Sequence, residues 1–429
     1  MSDQLTQELM DFIDNSPTMF HTIQTCKTAL EESGFKYLNP AKHWHIESGG
    51  KYYTLANHSA LIAFCINSPH IVEEGFKIIS THSDVPGFRI KPNPQMQFEN
   101  YIKLNTEVYG GPILSTWFDR PLSVAGRVAF KGSSPLSPES ELVNLNKPLL
   151  IIPNLAIHMN RDVNTGVSIN KQKDTLPILA YLNETTNRNL LQELISKETN
   201  RPIEDILDMD LFLYPFEKST SVGFHDEFIS APRLDDLCMT YSALKAIINT
   251  SSHRGISLFA CFDNEEIGSR TKQGADSPFL AHTLERIMLA LEKSREEFFI
   301  AVQNSFMISA DVAHLMHPNY PEKSDPTNKV LPGKGPAIKV NSNFNYTTDS
   351  DSYSVFGALC KAHAIPYQVF VNRSDEKGGS TIGPVSASHV PIRSIDIGTP
   401  ILSMHSAREL VTKEDFIYTC KALTAFLDL

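Results

Sequence analysis

The segment Gly255-Ile256-Ser257-Leu258-Phe259-Ala260-Cys261-Phe262-Asp263-Asn264-Glu265-Glu266-Ile267-Gly268-Ser269 limits what this chain can fold into more than any other stretch. Its first half is an apolar run with β-branched and aromatic residues, short enough for a buried strand. It then ends in acid. Two side-by-side carboxylates at the end of a buried strand repel each other unless one is compensated. A cation compensates them, with one Glu ligating and the other left as a base. A polar loop after a strand is the plainer alternative, so the rest of the chain has to decide.

Four other segments carry the same signature. Phe76-Lys77-Ile78-Ile79-Ser80-Thr81 runs into His82-Ser83-Asp84-Val85-Pro86-Gly87. In a His-x-Asp pair the imidazole can ligate a metal while the Asp fixes its tautomer. Ala231-Pro232-Arg233-Leu234-Asp235-Asp236-Leu237 opens a helix that continues to about Ile248. One Asp there is an ordinary N-cap, but two directly after Arg-Leu exceed what a cap needs. Phe306-Met307-Ile308-Ser309-Ala310 ends in Asp311, and the strand Ile392 to Ile397 precedes Met404-His405-Ser406.

Around these clusters, strands alternate with helices. Two helices are expected over residues 4–33, broken near Ser16-Pro17, and others over about 278–293, 351–363 and 413–427. A hairpin joins Tyr52–Leu55 to Ala60–Phe64. The pattern predicts an α/β fold: a mainly parallel sheet covered by helices, with ligand sites beyond the carboxyl ends of the strands. From about 92 to 230 the chain instead becomes rich in Asn, Pro and Ser with short strand-like runs. This reads as an inserted, mainly β domain interrupting a parent domain of residues 1–91 and 231–429. His158 in the insert follows an apolar run and is by default structural. Lys339, inside the strand Ala337–Asn341, reads as a surface Lys with a buried stem. Gly378-Gly379-Ser380-Thr381 could open a helix whose N-terminus suits an anion, but backbone packing is the preferred reading.

With 429 residues and a net charge of −11, the chain supports a large core and argues against nucleic acid or an anionic membrane as partner. The N-terminal stretch is polar and acidic, unlike a signal peptide, and no apolar run is long enough to cross a bilayer. The six cysteines are dispersed without Cys-x-x-Cys spacing, which implies reduced thiols and a cytoplasmic protein.

His82, Asp235, Glu265, Glu266, Asp311 and His405 together supply two imidazoles and four carboxylates, with no sulfur. That set suits two closely spaced divalent ions, zinc first, with cobalt or manganese tolerated. A bridging carboxylate would hold both ions, each ion would take one His and one further carboxylate, and one Glu would remain free. A shared water would reach a pKa of about 7. The free Glu would take its proton and pass it to a leaving amine, the apparatus of amide hydrolysis. Gly-x-Ser-x-Gly, a Walker-type phosphate loop and His-Glu-x-x-His are all absent.

Thr81-His82-Ser83-Asp84-Val85-Pro86, Arg233-Leu234-Asp235-Asp236-Leu237, Phe262-Asp263-Asn264-Glu265-Glu266-Ile267-Gly268-Ser269, Ser309-Ala310-Asp311-Val312-Ala313-His314 and Met404-His405-Ser406, in this order, resemble the aspartyl aminopeptidase family of di-zinc exopeptidases, its bacterial members above all. The resemblance covers nearly the whole chain, insert included. It implies that His82 and Asp311 bind one zinc and Glu266 and His405 the other, with Asp235 bridging. It makes Glu265 the general base and gives Asp84 the task of steadying His82. It also implies a cis Asp235–Asp236 peptide bond. The family often has Thr at Ser83 and Asn at Asp236, small changes that metal binding should survive. Two further roles follow from the resemblance. His158 matches an insert His that reaches a neighbouring subunit's active site, and Lys339 matches a Lys that meets an acidic substrate side chain. The insert would then be a dimerisation domain, and the dimers would assemble into a dodecamer. The expected activity is removal of N-terminal residues, preferably Asp or Glu, from peptides. The alternatives are an aminopeptidase preferring neutral residues, a di-zinc deacylase or carboxypeptidase, and a shell that has lost catalysis.

Overall fold

The computed structural model describes residues 2–182 and 189–429. The chain divides into two compact units. One comprises the chain up to Asp84, Ser219–Met404 and Glu409–Leu429; the other comprises Val85–Lys218 and the short segment His405–Arg408.

The first unit is built on a nine-stranded sheet. In spatial order its strands are Lys36–Tyr37, Lys51–Ala56, Ala60–Ile66, Ile256–Phe262, Phe76–His82, Phe306–Ala310, Arg393–Gly398, Ala337–Val340 and Gln368–Val371. The central four, from Ile256–Phe262 to Arg393–Gly398, run parallel. Their side chains alternate between two cores. Phe259, Ile79 and Ile308 join the helices Ser2–Asp14, Leu234–Asn249 and Lys413–Leu427 on one face. Leu258, Ile78 and Met307 pack with Phe279–Ala290 and Arg295–Gln303 on the other. Burial on both faces is why these strands lack a polar–apolar alternation. The expected α/β sheet with helices on both faces is what the chain forms.

Register decides what meets at the strand ends. Phe262 pairs with His82, and Ser309 pairs with Ser80, so His82 and Asp311 stand level, each two residues beyond the Ser80/Ser309 pair. Three chemical clusters far apart in sequence are thereby delivered to one edge.

Sequence patterning misses several smaller elements. A second sheet of five short strands, Thr220–Val222, Phe228–Ala231, Glu409–Thr412, Pro400–Leu402 and Ala313–His314, has no long apolar run to announce it. The helix expected over 278–293 stops at Ala290, and a second helix, Arg295–Gln303, starts from a capping box between Ser294 and Glu297.

The second unit holds a six-stranded antiparallel sheet in the order Ser137–Asn144, Leu122–Ser134, Ile206–Pro215, Gly87–Phe98, Tyr101–Tyr109, Ile178–Tyr181. Phe88, Trp117, Val124, Phe130, Leu211 and the helix residues Leu191 and Ile195 form its core. Its junctions with the first unit fall at Asp84/Val85 and Lys218/Ser219. They precede the compositional changes at 92 and 230, because Gly87–Phe98 already belongs to the inserted sheet and Phe228–Ala231 to the parent unit.

Candidate metal centre

The centre gathers where the parallel strands end. His82 is the last residue of its strand and almost fully buried. Its Nδ1 lies 3.0 Å from the Asp84 carbonyl oxygen and 3.5 Å from Asp84 Oδ1. Donation from Nδ1 to that carbonyl leaves Nε2 as the ring's acceptor, the arrangement a metal-ligating imidazole needs. Nε2 faces Asp235 Oδ1 at 3.4 Å, Asp311 Oδ1 at 3.8 Å and Asp236 Oδ2 at 4.0 Å. Thr240, from the helix behind, donates to the His82 carbonyl at 2.9 Å.

Asp235 and Asp236 are not simple helix caps. The helix Leu234–Asn249 is interrupted at both, with ψ of 109° at Asp235, and the peptide bond between them is cis. The backbone therefore turns both carboxylates toward His82. Asp235 N–H donates to Glu409 Oε2 at 3.0 Å, and the Asp236 carboxylate accepts the His82 backbone N–H at 3.1 Å. Glu409 was invisible to the motif reading, although it lies four residues after His405. Its only signal is a carboxylate at the start of a short strand.

Glu265 and Glu266 sit on a tight turn, Glu265–Ile267, after Asn264, whose φ of 62° swings the chain out of the strand. The Asp84 carboxylate receives both turn N–H groups, Glu265 at Oδ1 (3.0 Å) and Glu266 at Oδ2 (3.1 Å). Asp84 thus steadies His82 mainly through its carbonyl, and its charge anchors the turn that bears the two glutamates. Both glutamates remain partly exposed.

Charge in this cluster is unbalanced. Burial, then the charges of Asp311, Asp84 and Asp235, pushes the Glu265 carboxyl up to about 8. Burial and Asp235 also raise Glu266 well above the carboxylate range, and burial, Asp311 and Asp235 do the same to Asp236. Asp311 is the exception. Burial opposes its charged form, but the Lys339 ammonium, 3.1 Å from Oδ2, holds it below its ordinary value. Lys339 is itself buried, not a snorkelling surface residue, with its Nζ 5.5 Å from the centre of the Tyr346 ring.

The residues present fit divalent metal. Ligand atoms of His82, Asp235, Asp236 and Asp311 all lie within 4.8 Å of one another, as do those of His82, Glu265 and Glu266. One imidazole nitrogen with several carboxylate oxygens suits zinc, cobalt or manganese, and a cation relieves the repulsion described above.

The remaining predicted residues lie in the second unit. His405 adopts φ 66°, and its Nδ1 is 3.1 Å from the Gly111 carbonyl oxygen, again presenting Nε2 as acceptor. His158 is exposed on a turn at residues 157–159.

The family model of Aminopeptidase I zinc metalloproteases (M18) matches residues 12–427. A probable M18 family aminopeptidase 2 from Clostridium novyi (strain NT) is 53% identical over 428 residues, 99% of each chain. Among solved structures, a cryo-EM structure of a complex of Ape4 and Nbr1 contains a chain matched with TM-score 0.96 at 36% identity, over 100% of this chain and 86% of that one. A dodecamer of mApe1 from S. cerevisiae matches with TM-score 0.86 at 29% identity, over 99% of this chain and 96% of that one.

Proposed function

The chain belongs to the M18 family of zinc metalloprotease aminopeptidases, and from that premise we propose that it removes single N-terminal residues, acidic ones first, using two metal ions with Glu265 as the base. The observation that carries this reading is the meeting of one imidazole and five carboxylates at neighbouring strand ends, with Glu265 on the turn that Asp84 holds. His82 and Asp311 would hold one zinc, Glu266 and His405 the other, and Asp235 would lie between them. Zinc held there supplies Lewis acidity, polarising the scissile carbonyl and lowering the pKa of a water toward 7.

The chain's own residues do the rest. Glu265 accepts a proton at a carboxylate oxygen from the attacking water and gives it to the leaving amine nitrogen. Burial makes that carboxyl hold a proton more readily than a surface Glu does. Asp84 fixes the backbone of the turn, so Glu265 approaches from a constant direction. Lys339 supplies a buried positive charge beside the centre, where an acidic N-terminal side chain would be stabilised. We place the enzyme in the cytoplasm, supported by six buried, unpaired cysteines. We also propose that it assembles through the inserted unit into dimers and then a dodecamer, with His158 serving a neighbour's site.

One observation favours a neutral substrate instead: Lys339 is already engaged with Asp311. Release from Asp-Ala, Glu-Ala and Leu-Ala separates the two readings. It would be measured on metal-stripped enzyme and again after zinc or cobalt is restored, for wild type and Lys339→Met. Activity should appear only with metal. Acidic residues should lead in wild type and lose that lead in the variant. A preference for leucine that the variant leaves unchanged would overturn the acidic pocket and leave the aminopeptidase standing.

A further inference from the structure

Asp236 has no task in the mechanism above, yet no side chain at the centre is more deeply buried. It is 0% exposed. Its Oδ2 is tied to the His82 N–H at 3.1 Å and stands 4.0 Å from His82 Nε2. Its Oδ1 has no hydrogen-bond partner among the described residues. A carboxylate oxygen buried in that way is costly unless a positive charge or a donor faces it. The surroundings supply mostly the opposite. Asp235 and Asp311 converge on the same imidazole nitrogen, and ligand atoms of all four residues lie within 4.8 Å of one another. Lys339, the cation beside this group, is directed to Asp311 Oδ2. An amide at this position would keep the bond to His82 N–H through its oxygen. It would place no negative charge on the buried side, so the carboxylate is more than the local hydrogen bonding requires.

We infer that Asp236 is a metal-site residue: its carboxylate makes the His82–Asp311 position the more anionic and tighter of the two, and biases that position toward a hard ion such as Mn2+. This rests on the two-metal reading above. The two positions then differ by one carboxylate. The His82 side offers one imidazole against three carboxylates within reach, and oxygen-rich sites suit Mn2+ better than nitrogen-rich ones. Groups that support ligands in this way typically change metal affinity 10–100-fold when removed.

The test is metal binding itself. The full chain, stripped of metal, is titrated with Zn2+ and separately with Mn2+ in competition with a chromophoric chelator. Wild type, Asp236→Asn and His405→Ala are compared, with bound metal counted after dialysis. Wild type should bind two Zn2+ per chain with separate affinities. Asp236→Asn should lose about 10–100-fold at the tighter position alone. His405→Ala should lose the weaker position and keep the tighter. Mn2+ affinity should fall more than Zn2+ affinity in Asp236→Asn. Thermal unfolding of the metal-free proteins provides a second reading. Asp236→Asn should melt no lower than wild type without metal and gain less when Zn2+ is added. Equal affinities in wild type and Asp236→Asn, or equal losses at both positions, would overturn the inference. A metal-free Asp236→Asn that melts well below wild type would also overturn it, by making the carboxylate structural. Failure of wild type to bind two ions would instead overturn the two-metal reading beneath it.

Discussion

Glu265 and Glu266 are chain neighbours held on one turn. Asp84 anchors the N–H groups of both, so neither backbone can drift, and ligand atoms of both lie within 4.8 Å of one another and of the His82 ring. In the proposed mechanism Glu266 is a ligand and Glu265 is not. Glu265→Gln keeps shape and removes the proton acceptor. Its kcat should fall about 10²–10⁴-fold, while bound metal and KM stay close to wild type. A variant that retains wild-type turnover with full metal content would remove Glu265 from the chemistry. His82, Glu265, Glu266 and Asp311 stand out in the sequence because each follows an apolar strand-like run, whereas Asp235 and His405 lie in adjoining connections. Asp236 shows in the sequence only as one Asp more than a helix cap needs, and Glu409 carries no motif that marks it. The break in the helix at 235–236 turns Asp236 toward His82, and Glu409 enters the site as acceptor for the Asp235 N–H.

At the scale of elements, the long apolar strands and amphipathic helices were read correctly because burial on two faces leaves an unambiguous pattern. The five-stranded sheet was not, since strands such as Ala313–His314 and Pro400–Leu402 are too short to show a period. The helix Met19–Glu32 carries a consequence of its packing. His21 lies on it, with Nδ1 2.9 Å from Thr18 Oγ1, and burial with the nearby charge of Arg233 brings the imidazole down to about 4. An unfolded chain takes up this proton near pH 6.5, before the folded one does. Stability is therefore fully present above about pH 6.5 and is lost as pH falls through 4, by up to about 3 kcal/mol. His21→Gln cannot titrate and should show a flatter loss. Urea midpoints of the metal-free wild type and variant between pH 7 and pH 4 check this, and parallel curves would refute it.

At the scale of the whole molecule, the second unit leaves apolar side chains on its surface around one turn. Leu155 is 53% exposed, Ile157 49% and Met159 70%, flanking His158. Such an exposed apolar cluster marks an interaction surface, and a second copy of the chain is the occupant that the proposed assembly supplies. Sedimentation velocity should give a species of about twelve chains, as in the mApe1 dodecamer; a monomer would end the argument for His158. Assembly alone does not show that His158 works in a neighbour's site, but complementation does. His158→Ala chains keep their own Glu265, and Glu265→Gln chains keep their own His158. Each alone should be nearly inactive. If His158 acts across a two-fold interface, a mixed pair restores one complete site. Random pairing of equal amounts on coexpression should then return about a quarter of wild-type activity per chain. If His158 acts within its own chain, no pairing joins it to an intact Glu265, and the coexpressed mixture stays as inactive as its components.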